Sequence, residues 1–364
     1  WLGKIDFCIV GSGITGLSCA LALRETHPEA QILVLEKGIF PQGASTKNAG
    51  FACFGSMTEI LSDLQTHTEE EIVQLVSDRW NGIQLLRQRL GDTAIDYNGW
   101  GGYEVFLREE ASLQEQCMEE MDRINQMLLP VFGAPCFQVA RNSFGFDRIL
   151  PKLIMSSREG QIDTGRMMHS LLERVQQKPN PVMILNGITV EGYEDLGSKV
   201  LLKTDQFECH CGKLLLATNG FAASLGVLAV KPARAQVLVT EPIKGLQVKG
   251  TFHMDAGYYY FRNVRGRILL GGGRNLDPEG ETTTAFGQTE MIQNRLETLL
   301  REVILPGKEF RVAQRWSGIM GVGSQKKPIL KKLSDNVACG VRLGGMGIAI
   351  GSHTGTELAK LGSQ

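Results

Sequence analysis

The chain opens with two apolar runs separated by a glycine loop and an apolar helix. Residues 7–10 and 32–35 are uninterrupted apolar stretches, as expected of parallel strands that are buried on both faces. Between them, residues 17–24 carry apolar side chains at helical spacing, and Glu36 follows the second run. This order predicts a βαβ unit at the start of a doubly wound α/β sheet.

The rest of the chain alternates between helical and strand patterns. Residues 58–90 and 111–129 are charged and amphipathic, which predicts helices on either side of a strand at 102–107. Further strands are predicted at 187–193, 199–204, 207–211, 213–217, 237–240, 257–263, 266–271 and 311–316, and a further helix at 288–302. The chain ends in a strand, a glycine turn and a helix.

The glycine loop has the spacing G-x-G-x-x-G between the first strand and the first helix. Its residues are Gly11, Ser12, Gly13, Ile14, Thr15 and Gly16. Gly11 permits a tight turn, Gly13 lets the backbone approach a pyrophosphate, and Gly16 lets the helix pack on the strand. Glu36 is placed to accept hydrogen bonds from a ribose. The motif predicts a bound dinucleotide and does not separate NAD from FAD; a turn without a ligand is the alternative.

Two further glycine-rich segments have the same character. Residues 43–53 follow the second strand directly, at the edge where a doubly wound sheet binds its ligand. Residues 344–347 precede the last helix and present backbone N–H groups at its start. The second segment is equally consistent with a simple packing turn.

Composition and charge argue against several classes of protein. Of the 364 residues, 43% are hydrophobic and 21% charged, enough for two domains with a sizeable core. Lys and Arg number 38 and Asp and Glu 39, without a charged block, so we expect no nucleic-acid partner. The longest apolar stretch, 214–230, is interrupted at 218–220, so no transmembrane segment is expected.

Cysteine usage indicates a reducing compartment. The eight cysteines are spread along the chain, several of them in apolar runs, where a thiol packs as a small hydrophobe. Cys209 and Cys211 flank His210 but lack a second ligand pair, so we expect no metal site. We recognise no signal peptide ahead of the first strand and expect a cytoplasmic protein.

Several stretches in order along the chain resemble the FAD-dependent D-amino-acid oxidase superfamily, which includes glycine oxidase, sarcosine oxidase and amino-acid dehydrogenases. The matching stretches are 9–17 with 36–37, 43–50, 215–222, 231–236, 316–318 and 328–348. The resemblance implies a Rossmann-type FAD-binding domain interleaved with an α+β substrate domain that carries an antiparallel sheet. The FAD-binding domain would comprise 1–57, 146–226 and 320–364, and the substrate domain 58–145 and 227–319.

The resemblance also implies FAD as cofactor and a set of contacts to it. The residues concerned are Gly11, Ser12, Gly13, Ile14, Thr15, Gly16, Glu36, Lys37, Ser45, Thr46, Ala49, Gly50, Val190, Thr218, Asn219, Gly220, Gly345, Met346, Gly347 and Ile348. Members with covalent flavin use a cysteine in the region corresponding to 317–320, where this chain has none. We therefore expect non-covalent FAD.

The implied reaction is dehydrogenation of a C–N bond in an amino acid or secondary amine, by hydride transfer to flavin N5. Oxygen or another acceptor would reoxidise the flavin. The alternatives are a 2-hydroxy acid dehydrogenase on the same scaffold, a flavoprotein subunit of a multi-component dehydrogenase, and an NAD-dependent Rossmann dehydrogenase. The partner is in each catalytic case a small molecule.

The substrate side departs from the family pattern. Glycine-oxidase-like members bind the substrate carboxylate with an arginine, but the corresponding stretch 318–321, which includes Met320, has none. Arg342 and Arg262 are possible substitutes. The run of tyrosines at 258–260 resembles the strand that carries an active-site tyrosine, and the resemblance favours Tyr259 toward the flavin.

Overall fold

Two eight-stranded sheets organise the chain, of which the computed structural model describes residues 3–364. The strands are β1 (Ile5–Val10), β2 (Ile32–Glu36), β3 (Phe51–Ala52), β4 (Gly102–Val105), β5 (Phe137–Arg141), β6 (Lys152–Ser156), β7 (Gly160–Gln161), β8 (Met183–Asn186), β9 (Val190–Asp195), β10 (Val200–Thr204), β11 (Glu208–Leu216), β12 (Lys231–Thr240), β13 (Thr251–Met254), β14 (Tyr259–Val264), β15 (Arg267–Gly272), β16 (Val312–Val322), β17 (Ile329–Lys332) and β18 (Val337–Val341). The helices are α1 (Ile14–Thr26), α2 (Met57–Asp63), α3 (Glu69–Leu90), α4 (Ala111–Met127), α5 (Leu129–Phe132), α6 (Thr164–Val175), α7 (Glu290–Leu299) and α8 (Gly347–Gly362).

The first sheet contains the predicted βαβ unit at its centre. Its main order is β17-β18-β11-β1-β2-β8, and all neighbours in it are parallel except β17 and β18. Apolar clusters cover both faces, one of them containing most of α1. Burial on both faces explains why β1 and β2 are continuous apolar runs rather than alternating ones.

One predicted pair of strands is a single element. The patterns at 207–211 and 213–217 form the continuous strand β11, whose first half pairs antiparallel with β10 and whose second half pairs parallel with β1. The prediction of two strands was wrong because the small residue Gly212 suggests a break. In the structure its Cα packs closely on β1 instead, since a Cβ there would lie 2.8 Å from the Asp6 carbonyl oxygen.

The second sheet is mostly antiparallel and has the order β16-β12-β15-β14-β13-β4-β6-β5. Only β13 and β4 run parallel to each other. Helix α7 covers one face and shares an apolar core with it. The opposite face contacts Phe51, in β3, and Ala49, just before it. The sequence patterns predicted neither β5, β6 nor β13.

The mixed α/β class is confirmed, but two predicted domain boundaries do not match the sheets. Strand β6 was placed in the FAD-binding part and pairs with β4 and β5 in the second sheet. The boundary at 319/320 falls inside the unbroken strand β16. Helix α3, placed in the substrate part, packs on α8: a Cβ at Gly82 would lie 2.0 Å from the Ala349 carbonyl oxygen. We propose boundaries after β6 and after β16.

Candidate functional site

The glycine loop after β1 is closely packed against β11 and leads into the start of α1. A Cβ at Gly11, whose φ is +104°, would lie 2.9 Å from the Ala217 carbonyl oxygen. A Cβ at Gly16 would lie 1.9 Å from the Gly11 carbonyl oxygen. Helix α1 begins after Gly13 with neither a side-chain cap nor an acidic residue in its first turn. The N–H groups of its first turn and its positive dipole end suit an anion.

The acid at the end of β2 lies directly against this loop. One oxygen of Glu36 accepts hydrogen bonds from the Ser12 N–H (3.0 Å) and hydroxyl (2.6 Å), and the other accepts one from the Gly38 N–H (3.0 Å). The side chain is buried, whereas its neighbour Lys37 is exposed. Glu36 is therefore hydrogen-bonded to the glycine loop through Ser12, 24 residues earlier in the chain.

The segment after β2 folds back onto the start of α1. The Ser45 hydroxyl accepts a hydrogen bond from the Ile14 N–H at 2.9 Å. The Thr46 hydroxyl donates within its own loop, to the Gly43 carbonyl among others (3.2 Å). Of the two predicted hydroxyls, Ser45 thus lies at the helix start and Thr46 stabilises the loop.

The turn after β11 connects the first strands with the last. The Asn219 side-chain oxygen accepts the N–H groups of Arg342 and Leu343, each at 3.1 Å. The buried Thr218 hydroxyl has no hydrogen-bond partner within residues 3–364. Because an unpaired buried hydroxyl is destabilising, this atom points to a missing polar partner.

A second uncapped helix lies at the same edge of the sheet. Gly344 (φ +58°) and Gly345 (φ +84°) form the turn before α8. That helix, in the described chain, has neither a side-chain cap nor an acidic residue in its first turn. Met320 lies across the turn, since a Cβ at Gly345 would be 3.2 Å from its sulfur. The Met346 sulfur lies 3.9 Å from the Cys53 sulfur.

These features suit one extended anionic ligand. Helices α1 and α8 begin at the carboxyl edge of the parallel strands and pack together, because a Cβ at Gly351 would lie 2.8 Å from Ile14. Two helix N-termini without an acidic residue in the first turn, the unpaired Thr218 hydroxyl and the buried Glu36 together provide partners for phosphate, ring and ribose groups. Val190 lies half-buried at the start of β9, further along the same sheet.

A comparison with protein families agrees with this geometry. The family model described as FAD dependent oxidoreductase matches residues 6–361. The chain belongs to this family. It is an FAD-dependent oxidoreductase, and FAD is its cofactor.

The related proteins that have been curated are distant but match along nearly the whole chain. Gamma-glutamylputrescine oxidoreductase of Escherichia coli (strain K12) is 23% identical over 98% of this chain and 83% of its own length. Sarcosine oxidase subunit beta of Rhodobacter capsulatus is 27% identical over 98% of this chain and 84% of its own length.

Solved structures share the fold. Glycine oxidase from Geobacillus kaustophilus has a TM-score of 0.77 at 18% identity, covering 99% of this chain and 95% of that one. L-proline dehydrogenase from P. horikoshii has a TM-score of 0.77 at 15% identity, covering 98% and 93%. The predicted combination of a Rossmann-type FAD-binding domain with a second, antiparallel sheet is thus confirmed. No helix in the described part of the chain is long and apolar enough to cross a membrane.

Tyr259 and Tyr260 lie on opposite faces of the second sheet. Tyr259, which the resemblance directed toward the flavin, is 3% exposed and packs with Phe261 in the core beneath α7. Tyr260 lies on the opposite face, edge-on to Phe51 with ring centroids 5.7 Å apart. Alternation separates the two faces correctly. Helix α7 covers the face of β14 that carries Tyr259 and Phe261, and this face is therefore the one buried in the core.

Both arginines proposed as carboxylate ligands donate to main-chain carbonyls. Arg342 donates through Nε (3.0 Å) and Nη2 (2.7 Å) to the Lys327 carbonyl. Arg262, on the same face as Tyr260, donates through Nε to the Ala49 carbonyl. The Lys327 carbonyl thus occupies both the Nε and the Nη2 donor of Arg342, whereas only the Nε of Arg262 is engaged.

A buried polar cluster that the sequence did not predict lies behind β3. His253 Nε2 and Glu159 Oε2 are 2.9 Å apart, and with the Cys53 sulfur their potential ligand atoms all lie within 4.8 Å. Burial raises the pKa of the Cys53 thiol, which keeps it protonated. Zinc uses these ligand types, but here the carboxylate and the imidazole pair with each other. The sequence has no local signal for this contact, because 94 residues separate Glu159 from His253.

Proposed function

We propose that this enzyme dehydrogenates the C–N bond of a small amine or amino acid, and that its site favours an amine without an adjacent free carboxylate. FAD supplies the hydride acceptor, N5 of the flavin, and the resulting imine hydrolyses in water. Two relatives are named for γ-glutamylputrescine and sarcosine, which are both amines, although sarcosine also carries a carboxylate next to its amine. The names of these relatives support a C–N bond over a C–O bond as the reacting group.

The preference for an amine without an adjacent carboxylate rests on the hydrogen bonds that the candidate arginines make. Recognition of a carboxylate by an arginine needs a guanidinium fork that is free to accept two oxygens. The Lys327 carbonyl occupies the Nε and Nη2 donors of Arg342, and Met320 lies against the glycine turn in the stretch where the family has an arginine. The same argument disfavours a 2-hydroxy acid, which also carries a carboxylate.

The roles of the cofactor-binding residues are part of this proposal. The first uncapped helix would bind the pyrophosphate, Glu36 the ribose, and the turn before α8 the pyrimidine edge of the flavin, where N–H groups stabilise negative charge. The unpaired Thr218 hydroxyl would donate a hydrogen bond to the cofactor. On the substrate side, Tyr260 replaces Tyr259 as the tyrosine that faces the flavin, and burial raises its pKa to about 12, so it stays a neutral donor.

The experiment is an anaerobic titration of the FAD-loaded protein, followed by its visible spectrum. Matched compounds are added in turn: an amine, the α-amino acid with the same side chain, and the corresponding 2-hydroxy acid. Bleaching by the amine at lower concentration than by the amino acid is expected. Bleaching by the hydroxy acid alone would overturn the proposed reaction.

Two further measurements separate the remaining alternatives. Acid precipitation should release all of the FAD, because no cysteine lies at 317–320 to hold it covalently. Reoxidation of the bleached protein by air or by an artificial dye identifies the class of acceptor. A protein that binds FAD but is bleached by no amine, amino acid or hydroxy acid would instead be a subunit of a larger dehydrogenase.

A further inference from the structure

The side chain of Arg262, on β14, packs against the loop at residues 43–50, which follows β2. It is 5% exposed, and its Nε donates to the Ala49 carbonyl. A Cβ at Gly50 would lie 2.4 Å from Nη2 and 2.9 Å from Cζ of this arginine, so the guanidinium rests on the Gly50 backbone. Gly50 has a φ of +76°, and its carbonyl accepts the Ile162 N–H at 2.9 Å. Loop and guanidinium therefore hold each other in place.

The charge of Arg262 has no counter-charge nearby. Within residues 3–364 no carboxylate lies at ion-pair distance from its guanidinium, and Asp163 and Asp96 act on it only at longer range. Asp163 is itself paired with Arg265 at 2.7 Å. Burial lowers the pKa of Arg262 to about 10, which leaves it charged at neutral pH.

Another arginine of the same sheet shows the usual solution. Arg234, on β12, forms a two-pronged ion pair with the fully buried Glu281, with distances of 2.7 and 3.0 Å. A buried charge without such a partner is costly and persists where a ligand supplies the opposite charge. The buried positive charge of Arg262 therefore indicates that a ligand supplies the opposite charge.

The position of the loop indicates which anion. Ser45 contacts the start of α1, and Cys53 contacts Met346 at the turn before α8. Residues 45–53 thus run from the proposed pyrophosphate position to the proposed pyrimidine edge of the flavin. Ala49 and Gly50 lie between the two. Two-electron reduction makes the flavin ring anionic, whereas the oxidised ring is neutral.

We propose that Arg262 is a positioning residue for bound FAD, which fixes the Ala49–Gly50 peptide and whose positive charge stabilises the reduced, anionic flavin ring. This inference rests on FAD lying along residues 45–53, as in the proposed function. It is independent of the substrate, because it concerns the redox equilibrium of the cofactor alone.

The test compares three variants of the FAD-loaded protein. Arg262→Met removes the charge and keeps most of the volume, Arg262→Lys keeps the charge and loses the Nε bond, and Arg265→Met is a control at an exposed position of the adjoining turn. The readouts are the two-electron reduction equilibrium against a reference dye and the affinity for sulfite, whose addition also places negative charge on the ring.

In Arg262→Met the equilibrium constant for two-electron reduction of the flavin should fall about tenfold, which lowers the reduction potential by about 30 mV. The affinity for sulfite should also fall about tenfold. Arg262→Lys should stay within about threefold of the wild type, and Arg265→Met should be unchanged. Wild-type values in Arg262→Met would overturn the proposal. So would a change confined to the KM of carboxylated substrates, which would make Arg262 a substrate ligand.

If Arg262→Met does not retain FAD, Arg262→Lys tests whether the positive charge is the cause. A tenfold loss of sulfite affinity in a folded, FAD-loaded Arg262→Lys would show that charge is not the cause. Failure of every amine to bleach the wild-type protein would contradict the proposed function but leave these redox measurements intact, so the two failures are distinguishable.

Discussion

The imidazole of His253 and the carboxylate of Glu159 form an ion pair 2.9 Å long that is almost entirely inaccessible to solvent. His253 lies on the face of the second sheet that contacts β3, edge-on to Phe51. Burial by itself would lower the pKa of His253, but the Glu159 charge and hydrogen bond outweigh it and raise that pKa to about 9. The pair therefore ties the sheet to the segment before β7 through a charged contact.

Replacing Glu159 by Gln should destabilise the protein by about 3–5 kcal/mol, because it leaves one partner of a buried pair uncompensated. The folded pKa of His253, about 9, exceeds its unfolded value of 6.5, so the stabilisation is complete below about pH 6.5 and is lost as pH rises through about 9. Urea unfolding at several pH values from 6 to about 9.5 measures both effects.

The control for that experiment is the exposed pair of His169 and Glu173 on α6, with 3.2 Å between Nε2 and Oε1. Glu173→Gln should change the free energy of unfolding by less than about 0.5 kcal/mol. An equal effect of the two glutamate substitutions, or a Glu159→Gln variant that keeps the wild-type loss of stability toward pH 9, would contradict the assignment.

The two central tyrosines of β14 should behave differently. Tyr260→Phe should slow substrate-dependent bleaching of the flavin about tenfold, the effect of losing one hydrogen bond of about 1.4 kcal/mol, with little change in stability. Tyr259→Phe should leave the bleaching rate unchanged. Tyr259→Ala should reduce the free energy of unfolding by about 3–5 kcal/mol, because Tyr259 fills the core beneath α7. Rapid-mixing kinetics and urea unfolding test these outcomes, and a slower Tyr259→Phe with a normal Tyr260→Phe would restore the original orientation.

Gly16→Ala should prevent FAD binding. Its Cβ would lie 1.9 Å from the Gly11 carbonyl oxygen, and a main-chain atom between strand and helix cannot move aside. The matched control is Gly43→Ala, where a Cβ meets nothing within 4 Å and φ is −71°. The flavin absorbance of the purified protein relative to its protein absorbance distinguishes the two. A Gly16→Ala protein with full flavin content would refute the close contact.

Thr218→Val should weaken FAD binding about tenfold without destabilising the apoprotein. The buried hydroxyl has no partner in the described chain, so its removal relieves a cost of about 1–3 kcal/mol unless the cofactor supplies the partner. Thr298→Val is the control and should leave FAD affinity unchanged, because this half-buried hydroxyl on α7 already donates to the Asn294 carbonyl at 2.9 Å. Fluorescence titration of the apoproteins with FAD measures both affinities, and equal affinities for wild type and Thr218→Val would exclude the hydroxyl as a ligand.

The elements that can be predicted from the sequence are those whose whole signal lies within one short segment. The βαβ unit follows from two apolar runs, three glycines and an acid within 37 residues, and each of these constraints is local. The glycine turn before α8 was visible for the same reason. The unbroken strand β11 and the strands β5, β6 and β13 were missed, because their pairing partners, rather than their own residues, make them strands.

The sequence by itself determined the position of the Rossmann unit, because its glycine loop depends on backbone conformations that only particular residues permit at particular spacings. The resemblance of several stretches in order along the chain indicated the family and, with it, FAD. The tertiary structure alone decided that Tyr260 rather than Tyr259 faces the β3 side, since alternation along a strand defines two faces but not which one α7 covers. It also decided that Glu159 meets His253 and that Arg262 meets Ala49, at separations of 94 and 213 residues. Such pairings arise from the packing of whole sheets and leave no trace in the local pattern.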